Sequence, residues 1–146
     1  MMNAEMNRLL DQLAAAVGAK LNADKKILAT AESCTGGGIA EAITRISGSS
    51  AWFDRAFITY SNQAKMDMLG VKKTTLDSVG AVSETVAREM AEAALARSRA
   101  DVTVAVTGVA GPNGGSPEKP VGTVWFAWAS KNNSTISERC VFLGDR

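Results

Sequence analysis

No histidine occurs anywhere in the 146 residues. A Ser-His-Asp triad, a Cys-His pair and a His-based zinc site are therefore all excluded, and any catalytic base must come from Lys, Asp, Glu or Tyr. Cysteine is nearly as scarce: Cys34 and Cys140 stand far apart and form neither a CxxC nor a zinc-like spacing. Reduced thiols in a reducing compartment are the expectation. Long hydrophobic runs are missing too. The start, MMNAEMNRLLDQLAAAVGAKL, lacks a basic segment followed by an apolar block, and no stretch approaches the roughly 20 apolar residues of a membrane span. Neither charge sign dominates, since 16 basic and 15 acidic residues give a net charge of +1. That balance offers no reason to expect nucleic acid or an anionic membrane as a partner, and the few aromatics form no aromatic-basic strip. The expectation is a soluble cytoplasmic protein without cofactor or metal, for which a homo-oligomer is compatible.

What is present reads as one globular domain, 46% hydrophobic and 21% charged. Leu9, Leu10, Leu13, Val17 and Leu21 recur at helical spacing and predict an amphipathic helix over 5–21. Residues 26–31 read as a buried strand, 32–38 as a Gly-rich turn, 39–46 as a helix and 47–50 as a loop. A second strand is expected at 56–60. Asn62 is a candidate cap for a helix from about Gln63 to Leu69, with Gly70 as its stop. Ser83 and Glu84 open a helix over 84–98. DVTVAVT (101–107), apolar on both faces, predicts a central strand covered on both sides. Residues 121–129 and 135–143 suggest a hairpin turning at 131–133. Alternating helix and strand ending in a hairpin predicts an α/β fold, a three-layer α/β/α sandwich with a mixed central sheet.

Three segments place polar or Gly-rich residues directly after buried strands, where α/β sheets bind ligands. In the first, Glu32-Ser33-Cys34-Thr35-Gly36-Gly37-Gly38, the glycines allow backbone N–H groups to cradle an anion at a helix N-terminus. The same residues also suit a tight turn with Ser33 or Thr35 as a cap. Ser33 and Cys34 compete as nucleophile, and Cys34 has no histidine to activate it. In the second, Tyr60-Ser61-Asn62-Gln63-Ala64-Lys65, Lys65 falls on a first helical turn, where the dipole would depress its pKa as a lysine base requires. A solvated surface lysine and a core tyrosine are the plainer readings. The third is the Gly/Pro-rich stretch 107–120, whose Gly108 and Gly111 would let N–H groups reach a ligand or an oxyanion. Glu32, Asp54, Glu118 and Asp145 are available carboxylates, but no pair has a spacing that argues for acid/base partnership. Trp52, Phe53, Trp125 and Trp128 sit in apolar contexts that suit a core or an interface.

The motifs AESCTGG (31–37), SGSSAWF (47–53), TYSNQAK (59–65), AVSE (81–84), TGVAGPNGG (107–115), KPVGTVWFA (119–127) and GDR (144–146) together resemble the CinA C-terminal domain family. The likeness is to its stand-alone nicotinamide-nucleotide amidases, or NMN deamidases, and runs from residue 5 to the end. It implies hydrolysis of nicotinamide mononucleotide to nicotinic acid mononucleotide and ammonia in pyridine-nucleotide salvage. It also implies a catalytic set of Ser33, Tyr60 and Lys65, with Lys65 acting directly or through Tyr60. Thr35, Gly36, Gly37, Thr107, Gly108, Gly111 and Arg146 are then the candidate substrate-binding residues, with the oxyanion met near Gly108 or Gly36. Members of the family continue past GDR into a further helix, so residues 1–146 resemble a single amidase domain lacking that last helix. A non-catalytic nucleotide-binding or regulatory module is the competing reading, and it would not need Lys65. A metal-dependent hydrolase finds no ligand cluster to support it.

Overall fold

The computed structural model describes residues 3–144 and 146. Helix α1 (Ala4–Ala23) starts where Asn3 accepts a hydrogen bond from the Met6 amide at 2.8 Å. Strand β1 (Leu28–Glu32) follows, then α2 (Gly38–Thr44), a 3-10 turn at Ser49–Ala51, and β2 (Phe53–Ile58). Helices α3 (Asn62–Leu69), α4 (Lys73–Val79) and α5 (Glu84–Ala96) lead to β3 (Val102–Gly108), β4 (Thr123–Ser130) and β5 (Ile136–Val141).

The sheet has the order β2-β1-β3-β4-β5; β1 runs parallel to β2 and β3, and β4 and β5 are antiparallel additions. Both layers of the expected sandwich are present. Leu21, Leu28, Ile43 and Trp52 form a core between α1, α2 and one face, while Ala31, Leu69, Leu76, Met90 and Ala105 join the other face to α3, α4 and α5. The chain leaves β1 toward β2 and leaves β3 toward β4, in opposite directions. The crevice at the carboxyl ends of β1 and β3 is thus a topological switch point, the default ligand site of such sheets.

Several expectations need correction. Ser61, not Asn62, caps α3, its hydroxyl accepting from the Ala64 amide at 3.0 Å. The second strand starts and ends earlier than predicted, because Phe53 pairs with Leu28 and leaves Thr59 and Tyr60 beyond the strand end. The turn 32–38 is capped by neither Ser33 nor Thr35: α2 begins on Gly37, which has no side chain to do it. Helix α4 was not foreseen. The central strand β3 is covered fully on one face and in part on the other, where Val106 is buried and Val102 and Val104 pack against the α1/α2 core. Its Thr103, Ala105 and Thr107 side is buried under α5, while Val104 is half-buried and borders an open groove. That apolar groove, about 1180 Å³, runs between α1 and the sheet and is lined by Leu13, Val17, Val104, Val124, Phe126 and Phe142. Leu9, Leu13 and Val17, expected to bury the face of α1, are instead exposed, and Leu13 and Val17 border the groove; the buried face is Ala14, Gly18 and Leu21. Among the described residues no helix is long and apolar enough to cross a membrane, and Cys34 and Cys140 are both free thiols.

Gly122 holds the open end of the sheet together. Its φ is +95°, and an added Cβ would lie 1.9 Å from the Phe142 carbonyl oxygen. The Phe142 amide in turn donates to the Gly122 carbonyl at 2.8 Å. Gly122→Ala therefore meets both a left-handed backbone and a backbone clash. It is expected to cost about 2–4 kcal/mol and to lower Tm by roughly 5–15 °C, read by thermal denaturation. An unchanged Tm would contradict this packing.

Candidate active site

Ser33 extends β1 by one residue, its amide donating to the Val106 carbonyl of β3 at 3.1 Å. Alternation along β1 turns Leu28, Thr30 and Glu32 toward α2, and Ser33 toward α3. From the first turn of α3, Lys65 reaches back under the strand ends, and only 1% of it is exposed. Its Nζ lies 2.9 Å from Ser33 Oγ, 2.9 Å from the Thr59 carbonyl and 3.3 Å from the Tyr60 carbonyl. As an ammonium it donates to all three oxygens. As a neutral amine it keeps its two N–H groups on the carbonyls and turns its lone pair to the serine hydroxyl. The plainer reading of a solvated lysine is thereby overturned.

Burial pushes the Lys65 pKa below the ordinary lysine value, and a neighbouring Cys34 thiolate would work against that shift. The lowering was expected from the position at the start of α3, and burial is the cause that the folded chain supplies. Cys34 responds the opposite way: burial raises its thiol pKa, with its own backbone N–H and then Lys65 and Arg146 opposing. A protonated thiol without a base is a poor nucleophile.

Tyr60 is not the core ring that its sequence context suggested, for it is 59% exposed. Its backbone carbonyl, not its phenol, touches the Ser/Lys pair, accepting from Lys65 and, at 3.5 Å, from Ser33 Oγ. Among the described residues nothing bonds to its hydroxyl, and the ring stands in solvent.

In the turn after Ser33, Gly36 and Gly37 take φ of +58° and +101°. The Gly36 amide is used by the Ser33 carbonyl and the Gly38 amide by the Thr35 carbonyl. Ile39 and Ala40, whose amides open α2, donate to the Glu32 carboxylate at 3.0 and 2.9 Å, and Thr35 Oγ1 donates to it at 2.7 Å. The helix start that resembled a phosphate cradle is thus occupied by the protein's own carboxylate. Among the described residues, no acceptor of another residue takes the amides of Cys34, Thr35 or Gly37; the Cys34 amide faces only its own sulfur.

The third segment divides. Thr107 is buried on the α5 side, and its hydroxyl donates to the Ala81 carbonyl at 2.9 Å. At Gly108 an added Cβ would meet the Thr123 carbonyl oxygen at 2.7 Å, so this glycine is needed for close approach to β4. The Gly111 carbonyl accepts from Arg146 Nε at 3.0 Å. Arg146 and Gly144 border the groove together with Cys34 and Thr35, which brings the end of the chain beside the Ser33 turn.

Of the carboxylates considered that are among the described residues, Glu32 alone joins this arrangement. Asp54 bonds Arg55 and the Arg99 amide, and the Arg55 hydrogen bond holds its pKa below the usual value. Glu118 lies on the surface loop, and Asp145 lies outside the described residues. Sequence reasoning missed the importance of Glu32. The available signal was a charged residue closing an otherwise apolar strand, flanked by Thr30 and Thr35. Among the described residues no group of three or more His, Cys, Asp or Glu could hold a metal ion.

The profile of the CinA C-terminal domain matches residues 10–146. The chain belongs to the CinA C-terminal domain family. It is 56% identical, over 137 residues, to the nicotinamide-nucleotide amidohydrolase PncC of Escherichia coli (strain K12), covering 94% of this chain and 83% of that protein. Among solved structures it resembles the competence/damage inducible protein CihA from Agrobacterium tumefaciens, with a TM-score of 0.87 and 51% identity over 89% of this chain and 79% of that one. The CinA superfamily protein ECK1530/EC0983 from Escherichia coli gives a TM-score of 0.90 and 41% identity over 99% and 83%. The mixed five-stranded sheet is therefore the CinA superfamily fold.

A desolvated Lys65 amine should titrate below the free-lysine value of about 10.4. The check is the Lys65 13Cε shift followed by NMR against pH. A midpoint at or above that value would contradict the buried geometry.

Proposed function

We propose that this chain is a nicotinamide-nucleotide amidohydrolase that converts nicotinamide mononucleotide to nicotinic acid mononucleotide and ammonia, with Ser33 as nucleophile and Lys65 as base. The observation that carries the reading is the 2.9 Å contact between Ser33 Oγ and the buried Lys65 Nζ. The relative named nicotinamide-nucleotide amidohydrolase supplies the substrate class.

Neutral Lys65 takes the Ser33 proton as Oγ attacks the carboxamide carbon. The C=O electrons move to oxygen, and the resulting oxyanion is met by the free amides of Cys34 and Thr35, beside the attacking atom. Lysine in its ammonium form then returns the proton to the departing nitrogen, the C–N bond breaks and ammonia leaves. Water, deprotonated by the same amine, attacks the acyl ester, and its hydrolysis restores Ser33. The Thr59 and Tyr60 carbonyls hold Nζ through both proton transfers, so the base needs no histidine. The exposed Tyr60 ring offers a face to the pyridinium of the substrate, a cation–π contact rather than a proton relay. Arg146 and the 109–115 loop are the partners for the 5′-phosphate.

Purified protein is expected to release ammonia from nicotinamide mononucleotide in a coupled assay. Lys65→Ala should lower kcat about 10²–10⁴-fold, and Ser33→Ala should lose activity at least as fully. Because only the neutral amine accepts a proton, kcat/KM should rise with pH and level off above the lowered Lys65 pKa. Folded protein that binds the nucleotide without releasing ammonia would overturn the enzyme reading.

The role of Tyr60 separates cleanly. If the ring is a platform, Tyr60→Phe keeps activity within about threefold, while Tyr60→Ala raises KM about 3- to 30-fold, the scale of one cation–π contact. Equal loss of kcat in both variants would restore the phenol as a relay.

A further inference from the structure

We propose that Glu32 is a positioning residue for the nucleophile: its carboxylate is the built-in anion that shapes the turn carrying Ser33 and the free amides of Cys34 and Thr35. The proposal rests on the amidohydrolase reading above for its assay but on separate contacts for its geometry.

Glu32 is fully buried at the end of β1. Oε1 accepts from Thr35 Oγ1 at 2.7 Å and the Ile39 amide at 3.0 Å; Oε2 accepts from the Ala40 amide at 2.9 Å and Thr30 Oγ1 at 3.1 Å. Each oxygen thus takes one hydroxyl and one amide. An ionised carboxylate accepts in this way and donates nothing, so the set matches its capacity without a partner cation. Gly37, at the cap position of α2, has no side chain to receive these amides. Glu32 receives them from the preceding strand.

The consequence falls on Ser33. Residues 33–37 form a loop whose two ends are fixed to one side chain, β1 on one side and the start of α2 on the other. The Glu32 carbonyl meanwhile accepts from the Thr59 amide at 2.8 Å, tying the same residue to the segment whose carbonyls hold Lys65. Thr35, pulled inward by its hydroxyl, fixes the direction of its own amide and that of Cys34. A negative charge already at the start of α2 also repels a substrate phosphate from this turn, leaving phosphate to the Arg146 side.

Glu32→Gln keeps the shape but sets an NH2 group against the Ala40 amide or the Ile39 amide, two donors face to face. Misplacement of the nucleophile by a fraction of an ångström to an ångström is expected to lower kcat about 10- to 100-fold. KM for nicotinamide mononucleotide should stay within about twofold, and the pH midpoint set by Lys65 should not move. Amide exchange at Ile39 and Ala40 should quicken. A purely structural role would lower Tm and leave kcat per folded molecule intact, and that result overturns the proposal. So does a raised KM at unchanged kcat. Should Glu32→Gln not fold, Thr30→Val removes one donor to Oε2 at nearly constant shape, and wild-type kcat in that variant would count as the same refutation. A serine-directed fluorophosphonate gives an arm independent of the substrate: slower labelling of Ser33 in Glu32→Gln supports the proposal even if the wild type releases no ammonia, whereas an active wild type with an equally active Glu32→Gln removes only the proposal.

Discussion

A primary amine sealed from water must shed its proton or find an oxygen for every N–H it keeps. Lys65 is given oxygens on three sides, two from the backbone and one from a hydroxyl that can itself lose a proton. The rest of the site follows from keeping that amine in place. Strand β2 must end at Ile58 so that the next two carbonyls are free of the ladder. Helix α3 must begin at once, with Ser61 as its cap, to send Lys65 back toward β1. Ser33 must stand one residue past the end of β1, on the α3 side of the sheet.

The order of strands makes this economical in chain length. The parallel trio β2-β1-β3 aligns its carboxyl ends at one edge, and each of the three motif segments is simply the loop that leaves one of those strands. The β4–β5 hairpin contributes differently. It brings the chain end back over β3, where Arg146 meets the Gly111 carbonyl. Arg146 is thereby brought beside Cys34 and Thr35, more than 100 positions earlier in the chain.

Much of this was legible in the chain. The alternation of DVTVAVT gave β3, two apolar runs about a short polar turn gave the hairpin, and the lack of histidine directed attention to Lys65. What stayed hidden depended on contacts between distant segments. Helix α4, KTTLDSV, is short, rich in Thr and begins on Lys72 without a side-chain cap, so it carries little local signal. The outward turn of Tyr60 depends on where β2 stops, which is set by pairing with β1. Glu32 looked like an unpaired carboxylate because its donors lie three to eight residues downstream and two upstream, on a turn whose path only the folded chain defines. The family motifs located these segments without saying which atoms meet: it is the carbonyl of Tyr60 that touches the Lys65 amine, and Thr107 points away from the groove.

The open channel between α1 and the sheet has a thermodynamic side. Burial of apolar surface is the source of the heat-capacity change on unfolding, and surface already wet in the folded chain adds nothing to it. With Leu13, Val17, Phe126 and Phe142 bordering solvent in the native state, the chain has a smaller heat-capacity increment than a fully covered sandwich of equal length. Its stability therefore varies along a flatter curve, with less of the strong curvature that separates cold from heat denaturation.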